Sequence, residues 1–535
     1  MLALLTPEAF REFAQKTTAE LRFFAPELTL IVFACALLLA DLFVERRKSK
    51  DLAFLALLGV MVSLFFTLRL LKAPPDPGEA RIFQDTVVVD TFSSFFKVIF
   101  LVGTAITIAL AYISRDLEDR PMGEFFAIML SCVLGMFLMA GATDLILIAI
   151  AIELLSIPSY VLVGWRKASR ESSEAALKYV VYGSVSSGIM IYGFSLLFGM
   201  IGSTKIADLI AYVSSGQANL HALALAAFLC FAGFGYKMAA VPMQFWAPDV
   251  YQGAPTSVTA WLSVTSKAAG IAVFIRFLDV MGLGQPATDL TQKGSAFLAE
   301  WRPQLVSLLA LLSAVTMTLG NLAALFQTNV KRLLAYSSVA HVGYILMGVA
   351  TFAGASEAAG GDGLAAATGI AGYAGWRAVA FYLVAYLFMN LGAFTCVIVI
   401  SNQVGSENID DYRGLGVRAP LLGVTFSIFL VSLIGIPPTA GFVGKFQLFM
   451  VAIQGGLVWL TVVAAVNTAI SAYYYARILK NMYLETPADE APLAVPFAGN
   501  ALALVHMALV LLLGVFFNPL LAWTQRIGLH PLGRS

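Results

Sequence analysis

Glu153, Lys97, Lys178, Lys237, Lys267 and Lys445 are charged residues set inside long apolar runs, and His341 is the titratable neutral candidate that accompanies them. A lysine at the centre of a membrane helix costs about 2.5–3.5 kcal/mol on insertion scales, so such residues mark a task. A buried lysine gives up its proton more readily than one in water, and an approaching carboxylate restores it. These residue types therefore predict a chain of proton-transfer groups. Glu153 is the natural partner for one lysine, and a glutamate whose distance to a lysine varies works as a switch. The competing reading of Glu153, Lys237, Lys267 and Lys445 is a set of fixed ion pairs that tie helices together. Lys97 and Lys178 stand nearer helix ends, where a lysine also snorkels to the interface; beyond Lys178 the run SVSSG extends polarity inward. His341, preceded by Ser337 and Ser338, has the alternative of bonding a neighbouring helix.

Residues of this kind need spans to carry them. Hydrophobic residues make up 59% of the 535 and charged ones only 12%, with a mean hydropathy of +0.84. That composition predicts an all-α polytopic membrane protein of about fourteen transmembrane helices. Continuous apolar runs exclude the alternating pattern of an outer-membrane barrel. The cores fall near 26–44, 52–71, 91–112, 124–141, 144–164, 174–200, 222–241, 256–279, 304–325, 332–351, 377–401, 420–450, 456–479 and 499–522. Residues 7–22 read as a short amphipathic lead-in, and Asp41 and Asp144 lie near span ends. The first sixteen residues carry charge without an apolar core, so no cleavable signal peptide is expected. The clusters ERRKSK and WRKASR favour both chain ends outside, with Arg115, Arg332, Arg413, Arg418 and Arg477 in inner loops.

Two spans are irregular in a matched way. The seventh carries Lys237 followed by Pro242 and Pro248, and the twelfth carries Pro437 and Pro438 followed by Lys445. Proline inside a helix removes a backbone hydrogen bond and clashes with the preceding turn, so both should be broken. Paired broken helices point to internal repeats. The division that follows is an N-terminal three-helix unit at 1–119, a first five-helix repeat at 120–281, a second at 300–482 and a C-terminal helix at 483–535. An odd number of spans per repeat makes the second copy inverted. WAPDVYQGAPT between the seventh and eighth spans reads as a tight or re-entrant connection in which Asp249 caps the next helix or fixes the loop. The Gly/Ala-rich insert from Phe352 to Tyr373 has no motif.

Several functions are excluded. The four cysteines lie singly without CxxC spacing, and the four histidines are dispersed, which argues against iron–sulfur, zinc or haem sites. There is no dinucleotide fingerprint and no P-loop. A net charge of +1 gives no reason to invoke nucleic acid. Any redox chemistry belongs to another chain.

The stretch KMAAVPMQFWAPDVYQGAPTSVTAWLSVTSKAAG, the helix AIELLSIPSYVLVGW, the segment NVKRLLAYSSVAHVGYILMG and the run GIPPTAGFVGKFQLF resemble the antiporter-like membrane subunits of complex I, the proton-pumping NADH:quinone oxidoreductase, and most of all its subunit N. The likeness spans roughly residues 120 to 480. It implies fourteen core helices with two inverted repeats and two broken helices. It also implies that Glu153 pairs with Lys237, that Lys267 lies on a central hydrophilic axis, that Lys445 ends the second half-channel, that His341 bridges Lys267 and Lys445, and that Lys178 is an accessory residue. NAD, FMN, iron–sulfur clusters and quinone would sit on partner subunits, and none on this chain. The partners implied are other membrane-arm subunits, including another antiporter-like one, and lipids of an energy-transducing membrane, the bacterial plasma membrane in the first place. A subunit of a multisubunit Na+/H+ antiporter, or of a related membrane-bound hydrogenase or ferredoxin-fed complex, remains the alternative.

Overall fold

The computed structural model describes residues 7–76, 79–117, 121–216, 218–279, 281, 292–351, 375–487 and 491–529. The chain opens with α1 (Pro7–Glu20) and α2 (Ala25–Asp41), and the axes of Ala14–Glu20 and Ala25–Asp41 turn through 83°. The first helix is thus the lead-in and the second the first span. Next come α3 (Leu52–Lys72), α4 (Thr91–Ile113), α5 (Met122–Gly141), α6 (Leu145–Val163) and α7 (Arg170–Ile201). A short α8 (Ile206–Ser214) precedes α9 (Leu220–Met238), α10 (Trp246–Gly253) and α11 (Thr256–Leu278). The second half holds α12 (Gln292–Ala324), α13 (Val330–Ala350), α14 (Gly375–Val404), α15 (Pro420–Ile434), α16 (Ala440–Gln454), α17 (Val458–Leu484), α18 (Phe497–Val515) and α19 (Asn518–Gln525).

Among the described residues, 12 helices are long and apolar enough to cross a membrane, or 13 with the bent first pair. The twelfth span of the sequence reading is the shorter pair α15 and α16, so every expected span has a helix or a broken helix in its place. The 352–373 insert lies outside the described residues. One element was not expected in an all-helical chain. Arg81–Ile82 and Val87–Val88 pair antiparallel across a tight turn in which Phe83, Gln84 and Asp85 all have positive φ, and Glu20 accepts a hydrogen bond from the Phe83 amide at 2.9 Å.

Local chemistry explains where helices start. Asp90 and Ser93 form a capping box at α4, and Asp144, Ser169 and Asn329 cap α6, α7 and α13 with their side-chain oxygens. At α11 the sequence expectation fails, because Asp249 lies inside α10 and caps nothing there. The Thr256 amide donates instead to Asp116, a residue of a different loop, at 2.9 Å.

Burial separates a centre from a periphery. The whole apolar window of α11 is buried, as is 94% of that of α13 and of α14, against 28% for α3 and 22% for α18. Polar residues in the middle of α11, α13 and α14, such as Ser263, Lys267, Ser338, His341 and Asn390, are therefore enclosed by protein. Loops that the sequence places on one side do gather at one end of the bundle: Lys50 donates to Ser114, Arg115 to Asn402, Arg166 to Gly253 and Lys331 to Ala254.

Candidate functional site

The break after α9 places the first lysine. The helix ends with Ala239 in the left-handed region at φ 60°, and Pro242 lies in the segment before α10. Lys237 is thereby left at the end of a half-helix, buried, and its Nζ has no hydrogen-bond partner among the described residues. It lies 5.6 Å from the Tyr236 ring centre and 5.9 Å from that of Tyr179. The faces of these rings carry negative charge density that offsets part of the cost of burying an ammonium. Aromatic side chains also hold the break itself. Trp246 Nε1 donates to the Tyr236 carbonyl at 2.9 Å, the Tyr236 hydroxyl donates to the Tyr179 carbonyl at 2.9 Å, and Tyr179 stacks on Trp246 at 4.6 Å. Glu153, half-buried on α6, is close enough for its charge to act on Lys237 but does not bond it.

The second lysine follows a π-helical turn over Leu262–Ser266 inside α11, which adds a residue to the turn and re-aims what comes after it. Lys267 Nζ donates to Ser338 Oγ on α13 at 2.7 Å. Ser338, His341 and Tyr344 recur at the spacing that keeps side chains on one face of a helix. His341 Nδ1 and the Tyr382 hydroxyl of α14 are hydrogen-bonded at 2.5 Å, and the Tyr386 ring lies 4.9 Å from the imidazole. Lys445 of α16 stands 4.5 Å from the Tyr344 ring centre. Its Nζ donates to the carbonyls of Leu433 at 3.1 Å and Ile434 at 2.8 Å. Those carbonyls belong to the last turn of α15, where no further turn supplies donors and the helix dipole is negative. Lys267, His341 and Lys445 are thus strung along one buried row across α11, α13, α14 and α16. Lys237 and Glu153 lie in the first half. Tyr160, Tyr179, Tyr251, Ser266 and Tyr386 carry buried hydroxyls without a hydrogen-bond partner among the described residues, the kind of group that ordered water satisfies.

Lys178 lies apart from this row. Its side chain is 38% exposed and pairs with Glu174 at 2.9 Å and with Asp249 at 2.7 Å, and Asp249 also binds Arg332. The three elements α7, α10 and α13 meet there at one end of the bundle, so Asp249 fixes the connection by ion pairing.

Lys97 is not a surface-reaching lysine. It is 1% exposed and bonds Glu27, equally buried, at 2.6 Å, so it does not snorkel, and its partner is not on the row. Sequence reasoning missed Glu27, which lies within the first turn of the first span. It also missed Arg276, which holds both carboxylate oxygens of Asp90 at 3.1 Å and donates to the Ala140 carbonyl at 3.0 Å. Arg276 sits inside the eighth apolar run and was legible there as an intramembrane charge; its partner, in a loop far earlier in the chain, was not. Among the described residues no three His, Cys, Asp or Glu side chains converge as metal ligands.

With this geometry in place, likeness to known proteins becomes informative. Residues 142–360 and 363–471 match the family described as NADH:quinone oxidoreductase/Mrp antiporter, TM. A protein of Chloroherpeton thalassium named NADH-quinone oxidoreductase subunit N 2 is 42% identical over 505 residues, which cover 93% of this chain and 92% of the relative. A chain of respiratory complex I from Thermus thermophilus superposes with a TM-score of 0.72 and 31% identity, covering 93% of this chain and 98% of that one. A chain of the membrane-bound sulfane sulfur reductase, an archaeal respiratory membrane complex, reaches 0.79 at 20% identity over 94% of this chain and 96% of its own, a likeness of fold. The chain therefore belongs to the membrane-subunit family of NADH:quinone oxidoreductases and Mrp antiporters, on the branch whose relatives are named subunit N.

Proposed function

We propose that this chain is the proton-translocating subunit N of an NADH:quinone oxidoreductase in a bacterial plasma membrane, and that Glu153, Lys237, Lys267, His341 and Lys445 form its relay. The observation that carries this reading is the buried row running from Lys267 through Ser338 and His341 to Lys445, assembled from three helices on which a merely structural interior would be apolar. Each ammonium on the row stands by hydroxyls, carbonyls or ring faces, and none is locked to a carboxylate. A proton can leave such a site without first breaking an ion pair. Glu153 acts on Lys237 from a distance that small helix movements would change, which suits a switch. Lys178 collects charge at the end of the bundle where α7, α10 and α13 meet.

Residues 120–281 and 300–482 form two inverted half-channels, with Lys237 before the first break and Lys445 after the second. Redox energy released by NAD, FMN, iron–sulfur and quinone chemistry on partner subunits drives the protons, and another antiporter-like subunit and membrane lipids pack against this one. Relatives named as subunits of NADH-quinone oxidoreductase at about 40% identity favour this reading over a subunit of a multisubunit Na+/H+ antiporter or of a membrane-bound hydrogenase or ferredoxin-fed complex. The chemistry agrees, since Na+ seeks oxygen ligands whereas the row is built on ammonium and imidazole groups.

A native gel of gently solubilised membranes, probed for this chain and stained for NADH dehydrogenase activity, tests the assignment. Comigration with an NADH-oxidising band far above 57.3 kDa is expected. A large band without that activity would assign the chain to an antiporter or another donor-fed complex, and a band near its own mass to a lone transporter.

A further inference from the structure

We propose that Tyr382 is the hydroxyl through which His341 passes protons toward Lys445. The inference rests on the relay reading above and adds a residue to it from α14, a helix that contributes none of the charged groups.

Three observations place Tyr382 in the path. Its hydroxyl engages His341 Nδ1 at 2.5 Å, and Tyr382 itself is fully buried. The other side of its ring is the contact surface of α16. A Cβ at Gly444 would come within 2.7 Å of Tyr382 Cδ2, so the residue adjoining Lys445 is a glycine where the ring needs the room. Finally, the ring stacks on Tyr386 at 6.3 Å and 12° between planes, which leaves it little freedom to swing its hydroxyl away from the imidazole. Tyr382 therefore touches His341 with its hydroxyl and the backbone beside Lys445 with its ring.

The chemistry follows from the two nitrogens of the imidazole. In the tautomer with the proton on Nδ1, that N–H donates to the tyrosine oxygen, and the lone pair of Nε2 is open to a proton from the Lys267 side. When Nε2 takes up one proton, Nδ1 can release the proton it held to the Tyr382 oxygen, and the tyrosine releases its own hydroxyl proton toward Lys445, which accepts it only as the neutral amine, after its own proton has moved on. One proton enters and one leaves, and His341 ends as the Nε2–H tautomer. Tyrosine serves here because its hydroxyl both donates and accepts. Phenylalanine would keep the packing and lose the transfer.

The test uses the purified complex in proteoliposomes, with Tyr382→Phe and Gly444→Ala as variants and His341→Ala as the reference for the row. Proton uptake per NADH oxidised and the solvent deuterium isotope effect on uptake are measured, and artificial-acceptor NADH oxidation normalises for assembly. Tyr382→Phe is expected to lower uptake about 2- to 10-fold, the factor that loss of one neutral hydrogen bond represents, and to raise the isotope effect, which a packing defect would not move. Gly444→Ala, which retains the tyrosine but displaces its ring and so draws the hydroxyl off the imidazole, is expected to show the same signature and gives an independent reading if the first variant assembles poorly. Normal uptake and isotope effect in both variants, with uptake lost in His341→Ala, would overturn the role of Tyr382 and leave the relay standing. Normal uptake in His341→Ala as well would overturn both.

Discussion

The ammonium of Lys445 donates to the carbonyl of Ile434, the last residue of the half-helix before its own, at 2.8 Å. A broken helix thus supplies what a continuous one cannot, a pair of open carbonyls pointing at a cation in the middle of the fold. Lys237 sits at the first break and has ring faces in place of carbonyls.

From this contrast, Lys445→Ala should leave the carbonyls of Leu433 and Ile434 without a donor, a loss of about 1–3 kcal/mol for each buried group. The complex should assemble with a lower thermal midpoint and pump less. Lys445→Arg, which restores donors, should recover most of the stability. Equal melting of Lys445→Ala and the parent complex would show that water or another side chain replaces the ammonium.

Lys97→Ala should act on stability more than on pumping. Removing one partner of a buried ion pair costs about 3–5 kcal/mol because the other charge is stranded. Replacing Glu27 and Lys97 together by leucine and methionine should restore assembly, as judged by the yield of intact complex on a native gel. If the double variant assembles well but pumps poorly, the pair belongs to the proton path and its placement off the row is mistaken.

Gly320→Ala tests how closely the row depends on helix packing. A Cβ at Gly320 would meet the Ala340 amide at 2.6 Å, one residue from His341, and neither backbone can yield cheaply. Overpacking of this kind costs about 1–3 kcal/mol. Reduced pumping together with a lower melting temperature is expected; normal values of both would mean that α12 and α13 can separate without disturbing the imidazole.

Much of this arrangement was readable from the chain alone. Apolar runs located the spans, prolines at 242, 437 and 438 located both breaks, and Lys237, Lys267 and Lys445 stood out because charge in an apolar run is costly. What stayed hidden depends on contacts between distant parts of the sequence. Tyr382 and Tyr386 look like ordinary packing residues until α14 lies beside α13. Lys97 stood out in the sequence but its partner Glu27 did not, and the two become an ion pair only when α2 and α4 meet. The π turn before Lys267 leaves no mark in residue type, since its sequence LSVTS suits an ordinary helix too.

The most direct test of the relay is proton uptake by reconstituted complex carrying Lys237→Ala or Glu153→Ala, measured beside quinone reductase activity and artificial-acceptor NADH oxidation. The account predicts that uptake and coupled quinone reduction fall together in both variants while artificial-acceptor oxidation is unchanged. Full proton uptake in both would contradict it.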